Sequence, residues 1–218
     1  DVNLIENWID NYFYNVNELY STNLSLTIDV VYTHIWTTPD PFFGSYAVDV
    51  VESFKEYWNV NNDCIHRDVV VLLTNKLLDK DGVTPLQGNI CTDYQFSNAY
   101  CLCSTYTLGH WLTIAHELGH CLGSDHAENY SCTTCNNSVN CELMCKAKNC
   151  SNSNPAPNDI VICEEVRNVM KAFITYTQKK CYNCIDSITQ LPTVSSCPGS
   201  CKEYVAMSID KYRLDNTC

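Results

Sequence analysis

The chain has 218 residues, about one and a half times the roughly 150 of a typical domain, so one full domain with a small extension fits its length. Apolar residues at 45% against charged residues at 17% exclude a disordered chain, and the longest apolar run, Val69 to Leu73, is far short of the roughly 20 residues that cross a bilayer. Twenty-five acidic and 13 basic residues leave a net charge of -12 with no basic run longer than Lys179-Lys180, which excludes nucleic acid as a partner and disfavours an anionic membrane surface.

Ile5, Trp8, Ile9, Tyr12, Phe13, Val16, Leu19 and Tyr20 recur at helical spacing, which predicts an amphipathic helix over residues 3 to 20. Leu24 to Trp36 is rich in Ile, Val, Thr and Tyr, alternates around Leu26, Ile28, Val30 and Tyr32, and reads as a strand closed by the Thr38-Pro39-Asp40-Pro41 turn. A second helix is expected from Tyr46 to Tyr57, and the apolar run from Asp68 to Thr74 reads as a buried central strand. Helix alternating with strand predicts an α/β fold built on a mixed, twisted sheet. Val83 to Ile90 is a further strand candidate, but Pro85 has no N–H for a ladder, which confines this strand to a sheet edge. Tyr94 to Tyr106 is another, carrying Cys101 and Cys103, and after it Leu108, Trp111, Leu112, Ala115, Leu118 and Leu122 mark a helix with one buried side.

From Asp125 to Asp159 the chain is rich in Cys, Asn and Ser with almost no apolar periodicity, so an irregular segment held by disulfides and not by a sheet is expected. A helix returns at Glu164 to Tyr176. Residues 181 to 218 read as a small cysteine-stapled extension with a short helix near Glu203 to Tyr212, dividing the chain into 1–180 and 181–218.

Sixteen cysteines, an even number, point to disulfides and an oxidising compartment, which predicts a secreted protein or an extracellular ectodomain. Four N-x-S/T sequons, at Asn23, Asn129, Asn136 and Asn149, agree with a secreted glycoprotein. The chain begins at Asp1 without Met, so it is expected to be a processed or excised piece from which any leader, pro-segment or anchor has been removed. A monomer is the expected quaternary state.

The segment His116-Glu117-Leu118-Gly119-His120-Cys121-Leu122-Gly123-Ser124-Asp125-His126 carries the chemistry. Residues four apart on a helix lie about 40° from each other, one turn apart, so His116 and His120 can reach one ion. Glu117 lies beside them, able to contact a water bound to that ion without taking a ligand position. Gly123 suits the left-handed residue that ends a helix, and the reversal brings His126 back as a third ligand. Three neutral nitrogens with an open fourth position form a catalytic zinc site, whereas a structural site closes with four protein ligands. The zinc would lower the pKa of its bound water, with Glu117 as the base. The C-x-x-C pairs Cys132/Cys135 and Cys181/Cys184 are expected to be oxidised and not to form a zinc ribbon.

H-E-x-x-H-x-x-G-x-x-H followed by a methionine turn resembles the signature of the metzincin zinc endopeptidases. Asp68 to Thr74 and Gly82 to Cys91 are similar to the central strand and the substrate-aligning edge strand of the adamalysin or reprolysin branch, and Cys163, the helix after it and Cys181 are similar to its closing helix between two cysteines. The resemblance implies a metzincin fold and endopeptidase activity on proteins or peptides. It places Met144 as the Met-turn residue forming an apolar floor beneath the metal, and Lys146 and Ala147 beside the main specificity pocket. By the same resemblance an extended substrate would pair with the edge at Thr84, Leu86, Gln87 and Gly88. Two positions depart from the branch: Ala127 stands where Asp usually follows the third histidine, and Cys121 lies inside the motif. The branch is known to bind Ca2+, but no residue here matches a calcium ligand one for one. A second reading is a non-proteolytic metzincin scaffold that binds a protein through its cysteine-rich tail; the intact Glu117 speaks against it.

Overall fold

The computed structural model describes residues 2–62, 67–85, 87–90, 99–104, 110–132, 135, 141–146, 155–179 and 207–211. Helix α1 (Val2–Leu24) extends beyond the expected 3–20 and buries Ile9, Tyr12, Phe13, Val16, Leu19, Tyr20 and Leu24 along one face. It stops at Ser25, which takes a left-handed φ of 53° and donates its N–H to the Ser21 carbonyl at 3.1 Å. β1 (Leu26–Val30) follows directly. It is shorter than the strand read to Trp36, because the ladder on it, supplied by strand β7 (Met207–Lys211), covers only Leu26 to Val30. Helix α2 (Ala47–Asn61) buries Ala47, Val50, Val51, Phe54 and Trp58.

Strand β2 (Val69–Thr74) is the central strand expected of its apolar run. It pairs in parallel with β4 (Ala99–Ser104) over its whole length and meets β7 (Met207–Lys211) antiparallel at Val69. β3 (Gly82–Val83) pairs antiparallel with β4 at the sheet edge, giving the order β1-β7-β2-β4-β3. The expected edge location is right and the expected length is not. Pro85 follows within two residues of Val83, and Gly88 then turns at φ 64°.

Strand alternation splits the core in two. Val69, Ala99, Cys101 and Cys103 belong to the cluster with α1, helix α3 (His110–Cys121) and helix α4 (Glu164–Lys179). Val70, Leu72, Tyr100 and Leu102 join α2 on the opposite face. The sheet therefore sits between helices, and β4 packs against the helix that bears the histidine motif. No described helix is long and apolar enough to cross a membrane.

Two expectations are corrected. Residues 207–211, read as part of a short helix, form β7 inside the sheet. The run Met-Ser-Ile-Asp-Lys alternates apolar and polar with the period of a strand, and its backbone pairs along β1 from Met207 to Lys211. The segment after the motif is stabilised by a ladder as well as by disulfides. β5 (Cys141–Glu142) pairs in parallel with β6 (Ile160–Val161), while Cys132–Cys163 and Cys135–Cys145 bond across the same region. Cys132 and Cys135 are thus both oxidised, each with a distant partner and not with the other.

Candidate active site

On α3 the rings of His116 and His120 lie 4.7 Å apart between centroids, one helical turn from each other, with 3.1 Å between their Nε2 atoms. The helix then ends in a reversal of the Schellman type. Gly123, at φ 84°, donates its N–H to the His120 carbonyl at 2.9 Å, and Ser124 donates to the Gly119 carbonyl at 3.1 Å. A side chain at Gly123 would be strained by that φ and would meet the Phe173 ring at 3.1 Å. The reversal returns His126 to the other two, its ring 5.4 Å from His116 and 4.8 Å from His120. One ring nitrogen of each histidine lies within 4.8 Å of the others.

The hydrogen bonds fix which nitrogens face inward. His116 Nδ1 lies 2.7 Å from the Leu143 carbonyl oxygen and His120 Nδ1 lies 2.7 Å from that of Ser124. A carbonyl only accepts, so in the neutral ring each Nδ1 carries the hydrogen and each Nε2 presents a lone pair. Burial lowers the His120 pKa, favouring that neutral form. Two lone pairs 3.1 Å apart repel unless a cation sits between them. Nitrogens bound at 2.0–2.1 Å to a tetrahedral zinc would stand about 3.3 Å apart, so separation, tautomer and donor type all fit that ion.

Glu117 is 5% exposed. Its Oε2 accepts from the Thr84 hydroxyl at 2.7 Å, and that hydroxyl also lies 3.0 Å from the Glu117 carbonyl. The other carboxylate oxygen packs against Gly82, where a Cβ would collide with it and would come within 2.8 Å of Thr113 Cγ2. Edge strand β3 and the residue after it therefore wall in this carboxylate.

Beneath the helix, Met144 is fully buried against Gly119, where a Cβ would fall 2.5 Å from the Met144 sulfur. Its carbonyl accepts from Ala127 N–H at 2.8 Å, tying the residue after His126 to this turn. The Glu128 carboxylate accepts from Lys146 N–H at 2.9 and 3.1 Å and fixes the chain as it leaves the turn. Asp125 is a hub. Its Oδ1 accepts from His126 N–H at 2.7 Å and Gln87 Nε2 at 3.3 Å, its Oδ2 from Asn129 Nδ2 at 2.6 Å, and its own N–H donates to the Tyr130 hydroxyl at 2.9 Å. Those bonds hold its carboxyl below the usual carboxylate range, the His126 N–H contributing most.

Of the residues singled out from sequence, His116, His120, His126, Glu117, Met144 and Thr84 converge on one place. Gln87 and Gly88 reach it through Asp125 and through a 3.0 Å bond from Gly88 N–H to the His120 carbonyl. Leu86 and Ala147 lie outside the described residues. Sequence reasoning missed Asp125, Glu128 and the Leu143 carbonyl. Adjacency to His126 was a signal for the first, whereas a carbonyl's direction leaves none.

Residues 1–159 match a reprolysin-type model of metallo-peptidase family M12, a span that takes in the whole motif and Met144. The chain belongs to metallo-peptidase family M12. M12 peptidases use zinc and act on proteins or peptides, and the three histidines here form a group able to hold a metal ion. The mixed α/β architecture with its disulfides fits an M12 peptidase domain.

Proposed function

We propose that this chain is a secreted, monomeric zinc endopeptidase of the metzincin type that hydrolyses peptide bonds of extracellular proteins. Residues 1–180 would form most of its catalytic unit, with 181–218 a cysteine-rich extension whose strand β7 completes the same sheet. The observation that carries the reading is the pair of inward Nε2 lone pairs on His116 and His120 beside the buried carboxylate of Glu117. Zinc held by His116, His120 and His126 would supply a Lewis acid that polarises the scissile carbonyl and acidifies a water. Glu117 takes the proton of the attacking water and returns it to the leaving amine. Met144 keeps the floor of the site apolar, and the Glu128 to Lys146 bonds steady the wall of the specificity pocket. An extended substrate adds to the edge between Thr84 and Gly88, where backbone pairing gives affinity and side-chain pockets select.

Thr84 gives this reading a sharp local consequence, because its hydroxyl holds the base in place. Thr84→Val keeps the shape and removes the donor. It is expected to lower kcat about 10-fold with KM nearly unchanged, the worth of one hydrogen bond to a charged group, and Thr84→Ser should restore most of the rate. Steady-state kinetics on a cleaved peptide separate the two parameters.

The reading as a whole is tested by digesting a mixed-peptide library with the folded chain, with and without a zinc chelator, and identifying products by mass spectrometry. Internal cleavage that the chelator abolishes and added zinc restores is the expected result. A folded, zinc-loaded chain that cleaves nothing would overturn it.

A further inference from the structure

The three histidines are not held alike. His116 and His120 stand on α3, and each ring is turned by a carbonyl at its Nδ1. His126 stands beyond the helix in extended backbone, at φ -63° and ψ 146°. Among the described residues no hydrogen bond reaches its ring, and Asp125 Oδ1, 3.8 Å from its Nδ1, is too far to make one. The direction of this ring is therefore set through its backbone. There the His126 carbonyl accepts from Asn129 N–H at 2.9 Å, and its N–H donates to Asp125 Oδ1 at 2.7 Å.

Asp125 is itself fastened at every polar group it has. Its N–H donates to the Tyr130 hydroxyl at 2.9 Å, and its carbonyl accepts from the Ser124 hydroxyl at 2.8 Å. Oδ1 accepts from Gln87 Nε2 at 3.3 Å as well as from His126, and Oδ2 accepts from Asn129 Nδ2 at 2.6 Å. Gln87 comes from the segment after β3, and Gly88 beside it donates to the His120 carbonyl at 3.0 Å. The Phe173 ring, from α4, packs under this junction, 3.1 Å from where a Cβ would stand on Gly88 or on Gly123. One carboxylate thus joins the loop that carries the third histidine to the segment that continues the cleft edge.

We propose that Asp125 is the positioning residue of the third metal ligand: through Oδ1 it holds the His126 backbone so that the ring faces His116 and His120, and through Gln87 it fixes that loop to the edge of the cleft. The inference rests on the zinc reading above. Removal of a group that holds a metal ligand in place costs about 10–100-fold in metal affinity. Charge acts in the same direction, since a carboxylate beside a ligand favours a bound cation.

The test is the zinc affinity of the whole chain, measured by competition with a chromophoric chelator, with circular dichroism recorded on each variant. Asp125→Ala removes every side-chain bond and is expected to weaken zinc binding about 10–100-fold. Asp125→Asn keeps an acceptor for His126 N–H but sets an NH2 group against the Asn129 amide nitrogen, and should be weakened less. Asp125→Asn combined with Asn129→Asp reverses donor and acceptor across that bond, keeps a carboxylate in the network and should bind zinc nearly as the parent does. Where Asp125→Ala does not fold, this paired variant, close to the parent in shape, decides. Zinc binding by folded Asp125→Ala within about twofold of the parent, or a paired variant weakened about tenfold or more, would overturn the inference. A parent chain that binds no zinc overturns the zinc reading and this inference together, whereas equally tight binding by the parent and Asp125→Ala overturns this inference alone.

Discussion

Glu117→Gln is expected to lower kcat for peptide hydrolysis by about 10²–10⁴-fold, the range for loss of a positioned general base, while the protein keeps one zinc per chain. The amide fills the same volume between Gly82, Thr113 and Thr84, so the walls of the pocket stay in place. What changes is chemistry, because an amide oxygen cannot take up and hand on a proton at neutral pH. Zinc content by elemental analysis, measured beside kcat, separates a base from a structural residue. A variant that kept its rate would remove Glu117 from the mechanism, and one that lost its zinc would make it an organiser of the site.

Removal of the metal is the second large effect. Chelation is expected to abolish hydrolysis and to lower the melting temperature by roughly 5–10 °C relative to protein holding zinc at about a hundred times its Kd. The cause is local. Without a cation, the Nε2 lone pairs of His116 and His120 face each other at 3.1 Å, and both Nδ1 hydrogens are committed to the Leu143 and Ser124 carbonyls. His126→Ala should reproduce the loss of activity and the weakened zinc binding. It removes one ligand and leaves the first two in position on α3. Differential scanning calorimetry with and without added zinc checks the stability shift, and the melting point of His126→Ala should respond much less to zinc than that of the parent chain.

The motif was legible because its geometry is local. His116, Glu117 and His120 are placed by the helical period, and Gly123 turns the chain through its own φ and the two bonds of the reversal, all within a few residues. Helices α1, α2 and α4 were legible for the same reason, each showing a 3.6-residue apolar stripe, and β2 by its length and apolar content. The ends of elements were less so. β1 stops where its ladder stops, and β3 is cut short by Pro85 and the turn at Gly88.

Sequence alone determined the class of architecture, the three histidines able to hold a metal ion, the neighbouring carboxylate and the disulfide character of the chain, since each is written in residue types at short spacing. Tertiary structure alone decided that the Thr84 hydroxyl grips Glu117, that the carboxylate packs against Gly82 where a Cβ would displace it, and that a carbonyl from Leu143 orients His116. It alone decided that Cys132 joins Cys163 and Cys135 joins Cys145, and that residues 207–211 enter the sheet as a strand. These contacts join positions tens to nearly two hundred residues apart. A periodic pattern reports only which face of an element is buried, whereas the partner on that face is chosen by the packing of the whole chain.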